Sequence, residues 1–116
     1  MVPMRVIQYG PEGTPESMRI EPAPTPSPAA GEILIEVHYA GVNRPDVLQR
    51  MGRYAPPPGA SPILGLEVAG RVAALGANVG LWQLGDEVCA LTPGGGYADF
   101  CVTPARARGQ SSTPVS

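Results

Sequence analysis

Lysine is absent. All eight basic residues of this 116-residue chain are Arg, set against ten acidic ones for a net charge of −2. A balance so near neutral offers no electrostatic hold on nucleic acid or an anionic membrane, so neither is expected as a partner. The exclusive use of Arg reads as codon bias in a GC-rich genome rather than as function. Cysteine is scarce: Cys89 and Cys101 are the only two. With no secretory signal at the start, nothing implies a disulfide framework. No apolar run approaches the roughly 18 residues of a membrane helix. The expectation is a soluble cytoplasmic protein. Histidine occurs once, as His38, with no Ser or Cys partner in a recognisable motif. A hydrolase triad is therefore unsupported.

Glycine and proline, by contrast, are abundant at fifteen each. So many breakers favour short strands joined by turns over helices, and the composition reads as mainly β in a single domain. Arg5 to Tyr9 reads as a first strand, with Met18 to Glu21 as its hairpin partner. Pro22, Pro24, Pro26 and Pro28 then recur at every second position. Such a stretch cannot donate a regular ladder, which predicts an extended surface connector. Ile33 to Ala40 is the clearest strand, with Ile33, Ile35, Val37 and Tyr39 on one face.

One helix is predicted, from Arg44 to about Met51. Pro45 and Asp46 suit its first turn and Gly52 its stop. Val68 to Leu75 is small and apolar, a buried strand whose Gly70 admits another backbone closely. Further strands are expected at Glu87–Leu91 and Tyr97–Val102. Between them, Gly94-Gly95-Gly96 precedes a strand rather than a helix, so it reads as a turn and not a phosphate cradle.

Six segments carry a resemblance in order: Gly31-Glu-Ile-Leu-Ile-Glu-Val37, Ala40-Gly-Val-Asn-Arg-Pro-Asp46, Gly52-Arg-Tyr-Ala-Pro-Pro-Pro-Gly59, Ile63-Leu-Gly-Leu-Glu-Val-Ala-Gly70, Gly85-Asp-Glu-Val88 and Gly95-Gly-Tyr-Ala-Asp-Phe100. Together they resemble the first domain of the medium-chain dehydrogenase/reductase superfamily, in its zinc-independent NADPH:quinone oxidoreductase branch. The resemblance covers roughly residues 4 to 104. It implies a GroES-like, partly open β-barrel with one or two short helices over residues 1–104. Residues 105–116 are expected to form a loose tail. From Arg106 the sequence departs from the family's wording, as though a reading frame or gene model had broken there.

Zinc-dependent relatives are expected to carry a Cys and a His where this chain has Asn43 and Leu66. An amide and an alkyl group cannot replace those ligands, and Glu67 alone cannot rebuild the site, so no metal is expected. The resemblance implies that Asn43, Asp46 and Tyr54 line a cleft beside the nicotinamide of NADPH and bind that cofactor. Each also has a plainer role. Asn43 suits a helix N-cap, Asp46 complements a helix dipole, and Tyr54 can pack on the proline loop. His38 reads as an exposed residue, and the two cysteines as small core residues.

No strand–Gly-x-Gly-x-x-Gly–helix unit lies in these residues, so no Rossmann domain is present in the sequence given. The implied function is one wall of an NADPH-dependent quinone reductase, inactive as this chain alone. The alternative is a non-catalytic binding module. Either way, unpaired strand edges invite dimers or aggregation.

Overall fold

Short β-branched and apolar runs between Gly and Pro breakers make strands the dominant element. The computed structural model describes residues 3–53, 55 and 60–105. These form β1 (Pro3–Gln8), β2 (Arg19–Pro24), β3 (Glu32–Ala40), α1 (Arg44–Arg50), β4 (Glu67–Leu75), β5 (Glu87–Leu91) and β6 (Phe100–Pro104), with one 3-10 turn at Pro15–Ser17. The larger sheet is antiparallel in the order β5–β4–β3–β6, and β1 pairs with β2 as a hairpin. Tyr97–Asp99 joins the two. Ile7 N–H donates to the Tyr97 carbonyl at 2.9 Å, and Asp99 N–H donates to the Arg5 carbonyl at 3.0 Å. Among the described residues β5 and β6 share no ladder, so the barrel stays partly open, as expected.

Asp99 is also gripped by its side chain. It accepts the Arg5 backbone N–H at 2.8 Å and both ends of the guanidinium fork at 3.0 and 3.1 Å. Those bonds hold its carboxyl below the ordinary carboxylate range.

Two expectations fail here for definable reasons. Pro22 and Pro24 lie inside β2 rather than in a connector, opposite Arg5 and Pro3. Arg5 and Ile7 spend their backbone bonds on Tyr97–Asp99. Met4, Val6 and Gln8 therefore face β2, and Pro22 and Pro24 fall at positions whose N–H would point to solvent. The alternation of prolines is what lets this edge strand form.

In β3 the expected face breaks at Tyr39, which is 74% exposed. Val37 pairs with Gly70 and Tyr39 with Ala69, leaving His38 as the extra residue of a bulge. One inserted residue inverts the alternation, so Ala40 lies opposite buried Val68 and Tyr39 turns outward. Gly70 does admit a close backbone: a Cβ there would strike the Glu36 carbonyl.

The core gathers Ile33, Ile35, Val68, Val72, Trp82, Val88, Ala90 and Ala105. Within it the Trp82 indole N–H donates to the Ala105 carbonyl at 2.8 Å. Ala105 N–H in turn donates to Gly31 at 2.7 Å, tying the end of β6 to the start of β3. Beyond Ala105 the expected tail lies outside the described residues. Trp82→Phe keeps most of the ring but orphans that carbonyl, and should lower the unfolding free energy by about 2 kcal/mol. Urea denaturation measures it; a loss within about 0.5 kcal/mol would mean the indole bond contributes nothing net.

Candidate functional site

The site grows from the N-terminus of α1. Asn43 holds the extended N-cap conformation (φ −126°, ψ 160°), and Pro45 sits in the first turn. The helix runs Arg44–Arg50 and stops as expected: Gly52 takes φ +79°. Asp46 is only 2% exposed. Its Oδ2 accepts the Asn43 backbone N–H at 3.0 Å, the return half of a capping box. The same oxygen accepts the Tyr97 hydroxyl at 2.9 Å, from 51 residues away. Among the described residues Oδ1 is buried without a partner. Burial, followed by the bond to Asp46, pushes the Tyr97 phenol above its ordinary value, so it stays a protonated donor.

Tyr97 is placed by a close crossing of two glycine segments. Gly95, Gly96 and Tyr97 donate their N–H groups to Ile63, Gly65 and Leu64 at 2.9, 3.0 and 2.8 Å. Gly65 adopts φ +110°, and a Cβ on it would lie 2.6 Å from Tyr97 N and 2.7 Å from Gly96 Cα. Only glycine fits. Gly94-Gly95-Gly96 is thus a site of backbone contact as well as of turning. Farther along α1, buried Gln49 donates Nε2 to the Pro62 carbonyl at 3.0 Å, fixing the helix against the same crossing.

Beyond the helix cap lies Glu67, at the start of β4. Asn43 Nδ2 donates to its Oε1 at 3.1 Å. Asn43 and Asp46 are thus brought together, whereas Tyr54 lies outside the described residues. Tyr97 and Glu67 are the residues that sequence reasoning missed as partners. The one available signal was their place in the segments Gly95-Gly-Tyr-Ala-Asp-Phe100 and Gly65-Leu-Glu-Val-Ala-Gly70.

The remaining candidates behave plainly. His38 is exposed and faces Glu36 at 3.5 Å. Cys89 and Cys101 are free thiols, the second buried and pushed up in pKa by that burial. Among the described residues no three His, Cys, Asp or Glu side chains gather in a group able to hold a metal ion. No helix there is long and apolar enough to cross a membrane. A cavity of about 400 Å³ opens between the β1–β2 hairpin and β6, lined by Val6, Phe100, Cys101 and Val102 among others, but neither Asn43 nor Glu67 borders it. The α1 cluster is a set of hydrogen-bonding groups joined to one another. It has an amide, two carboxylates and a phenol, suited to orienting a polar ligand rather than to nucleophilic attack.

Comparison with known proteins gives this geometry a family. The model for the alcohol dehydrogenase GroES-like domain matches residues 29–111. Quinone oxidoreductase of Rattus norvegicus is 34% identical over 102 residues, spanning 86% of this chain and 31% of that protein. Among solved structures, the human synaptic vesicle membrane protein VAT-1 homolog-like protein superposes with a TM-score of 0.79 at 29% identity, covering 91% of this chain and 34% of that one. A mycobacterial protein, Rv1454c, solved in complex with NADPH, gives 0.72 at 37% identity, covering 88% and 30%. The chain thus spans about a third of the length of the relatives it matches. It belongs to the alcohol dehydrogenase GroES-like domain family, within the medium-chain dehydrogenase/reductase superfamily, and corresponds to the N-terminal part of its quinone oxidoreductases.

Proposed function

We propose that this chain forms one wall of the active-site cleft of a zinc-independent, NADPH-dependent quinone reductase of the cytoplasm. The observation that carries the reading is the amide of Asn43 donating to Glu67, with Asn43 and Leu66 at the positions where zinc-dependent relatives are expected to carry metal ligands. A neutral amide already donating to a carboxylate is a hydrogen-bonding group, not a thiolate. It fits NADPH: with one N–H given to Glu67, the amide keeps a second N–H that can donate to the carboxamide of a nicotinamide.

NADPH, when bound, supplies the hydride that reduces the quinone. This chain's residues supply position. Asn43 orients the carboxamide, and Asp46, by holding the Asn43 backbone and Tyr97, keeps the helix cap where that contact is made. Tyr54 is proposed as a further cleft residue bordering the nicotinamide. Val42, 76% exposed beside Asn43, is available to exclude water once the cleft is covered.

The test has two arms. The pure 116-residue chain should oxidise no NADPH with a simple benzoquinone, because it carries no glycine-rich nucleotide-binding unit. A chimera placing residues 3–105 in the matching part of the rat quinone oxidoreductase should do so, and Asn43→Ala in it should lower kcat/KM about tenfold. Turnover by the chain alone, or a chimera indifferent to Asn43→Ala, overturns the reading.

One observation favours a second reading, that of a dimerising module. The β4–β5 ladder uses the N–H groups of Val88, Ala90 and Thr92, so Cys89 and Leu91 point theirs outward along an edge unpaired among the described residues. Sedimentation separates the two readings: a monomer across a wide concentration range argues against the module.

A further inference from the structure

We propose that Glu67 is a positioning residue that fixes the orientation of the Asn43 amide, and that the missing side chain of Gly41 is what lets it reach. The inference deepens the cofactor-wall reading above and, in its ligand-binding consequence, rests on it.

The geometry begins with the backbone. Gly41 N–H donates to the Glu67 carbonyl at 2.9 Å, which ties the exit of β3 to the start of β4. A Cβ on Gly41 would lie 2.5 Å from Glu67 Oε1 and 2.9 Å from its Cδ. The carboxylate therefore occupies the space that any other residue at position 41 would fill. From that notch Oε1 meets Asn43 Nδ2 at 3.1 Å, two residues further along the chain.

Chemistry then fixes what distance alone leaves open. An ionised carboxylate only accepts, so the Asn43 atom facing it must be the NH₂ group and not the carbonyl oxygen. The amide has one orientation. Its carbonyl turns away from Glu67, and one N–H stays available beside it. Asp46 holds the Asn43 main chain through its N–H, while Glu67 holds the side chain. Two carboxylates from different elements thus hold the amide with one N–H left to donate. That donor suits the carbonyl of another primary carboxamide, the group a nicotinamide carries.

Gly41 supplies a test that alters neither partner. Its φ lies outside the left-handed region, and the two atoms it would strike hardest are the end of the flexible Glu67 side chain, with the Glu67 Cβ at 3.3 Å needing only a small shift. Gly41→Ala should displace the Glu67 carboxylate and leave the fold in place. The chain has only Asn43 and Asn78, so the Asn43 side-chain amide is readily assigned in ¹H–¹⁵N spectra of the full 116-residue chain.

In the wild type one Asn43 amide proton should be shifted downfield and exchange several-fold more slowly than that of a free Asn. Glu67→Ala and Gly41→Ala should both return it to free-amide values. Glu67→Gln, whose carbonyl still accepts, should restore most of the shift. The backbone spectrum away from residues 41–43 and 67 should stay unchanged in all three, which a merely structural role would not give. In the chimera with the rat quinone oxidoreductase, the apparent Kd for NADPH should rise about fivefold in Glu67→Ala and Gly41→Ala and about twofold or less in Glu67→Gln. Identical Asn43 amide signals in wild type, Glu67→Ala and Gly41→Ala overturn the inference. If those signals change as expected while the chimera binds NADPH equally well with and without the Glu67→Ala and Gly41→Ala changes, the Glu67–Asn43 assignment stands and the cofactor-wall reading falls.

Discussion

Gly65→Ala should lower the unfolding free energy by about 4 kcal/mol, combining backbone strain and overpacking of about 1–3 kcal/mol each. Its φ of +110° is strained for any L side chain, and the added Cβ would meet Tyr97 N at 2.6 Å and Gly96 Cα at 2.7 Å. Neither is the movable end of a side chain. Relief requires the two backbones to part, which loosens the bonds from Gly95, Gly96 and Tyr97 to Ile63–Gly65. Gly31→Ala is the natural control. Its φ is +78°, yet nothing lies within 4 Å of the added atom, so it carries the strain without the collision. That control should cost about 1–2 kcal/mol. Chemical denaturation of both variants isolates the packing part. Equal losses would mean that the glycine crossing does not hold Tyr97 in place.

How much of this was legible in the sequence depended on whether the deciding partner was near or far. The helix at Arg44–Arg50 could be read because Asn43, Pro45, Asp46 and Gly52 act within one or two turns of each other. Gly70 could be read because a glycine in an apolar strand asks for a close neighbour, whichever one it is. The prolines of β2 could not. Whether Pro22 blocks a ladder depends on which side of β1 already belongs to Tyr97–Asp99, a segment more than seventy residues later. Tyr39 was misplaced for a similar reason: strict alternation holds until a bulge, and His38 becomes the extra residue only opposite Gly70 and Ala69. In the site, Asn43 and Asp46 were visible as a cap. Their partners Tyr97 and Glu67 reach across 51 and 24 residues with no periodicity to announce them.

Tyr97→Phe should destabilise the chain by about 2 kcal/mol at neutral pH, since it removes a hydrogen bond to a charged acceptor and leaves Asp46 enclosed with less satisfaction. Asp46 is 2% exposed, and its Oδ2 then keeps only the Asn43 N–H. Asp46→Ala should cost more, about 3 kcal/mol, because it also frees the helix cap. Once Asp46 is gone the hydroxyl has little left to do there. A double-mutant cycle should therefore return a coupling of about 1.5–2 kcal/mol; a value near zero would mean the contact is incidental.

Alkaline pH gives an independent check on the same bond. The folded state raises the Tyr97 pKa, so its contribution is fully present below the ordinary tyrosine value near 10 and is lost as pH rises above it. In that window the unfolded chain sheds the phenolic proton and the folded chain keeps it. Stability should fall there by up to about 1.4 kcal/mol per pH unit from this group, discounted to about 1 kcal/mol in total because Tyr97 is only partly enclosed. Tyr97→Phe has no such proton to lose. The gap between the wild-type and variant stability curves should narrow by about 1 kcal/mol above pH 10; curves that stay parallel would show that the hydroxyl of Tyr97 is not the group held by Asp46.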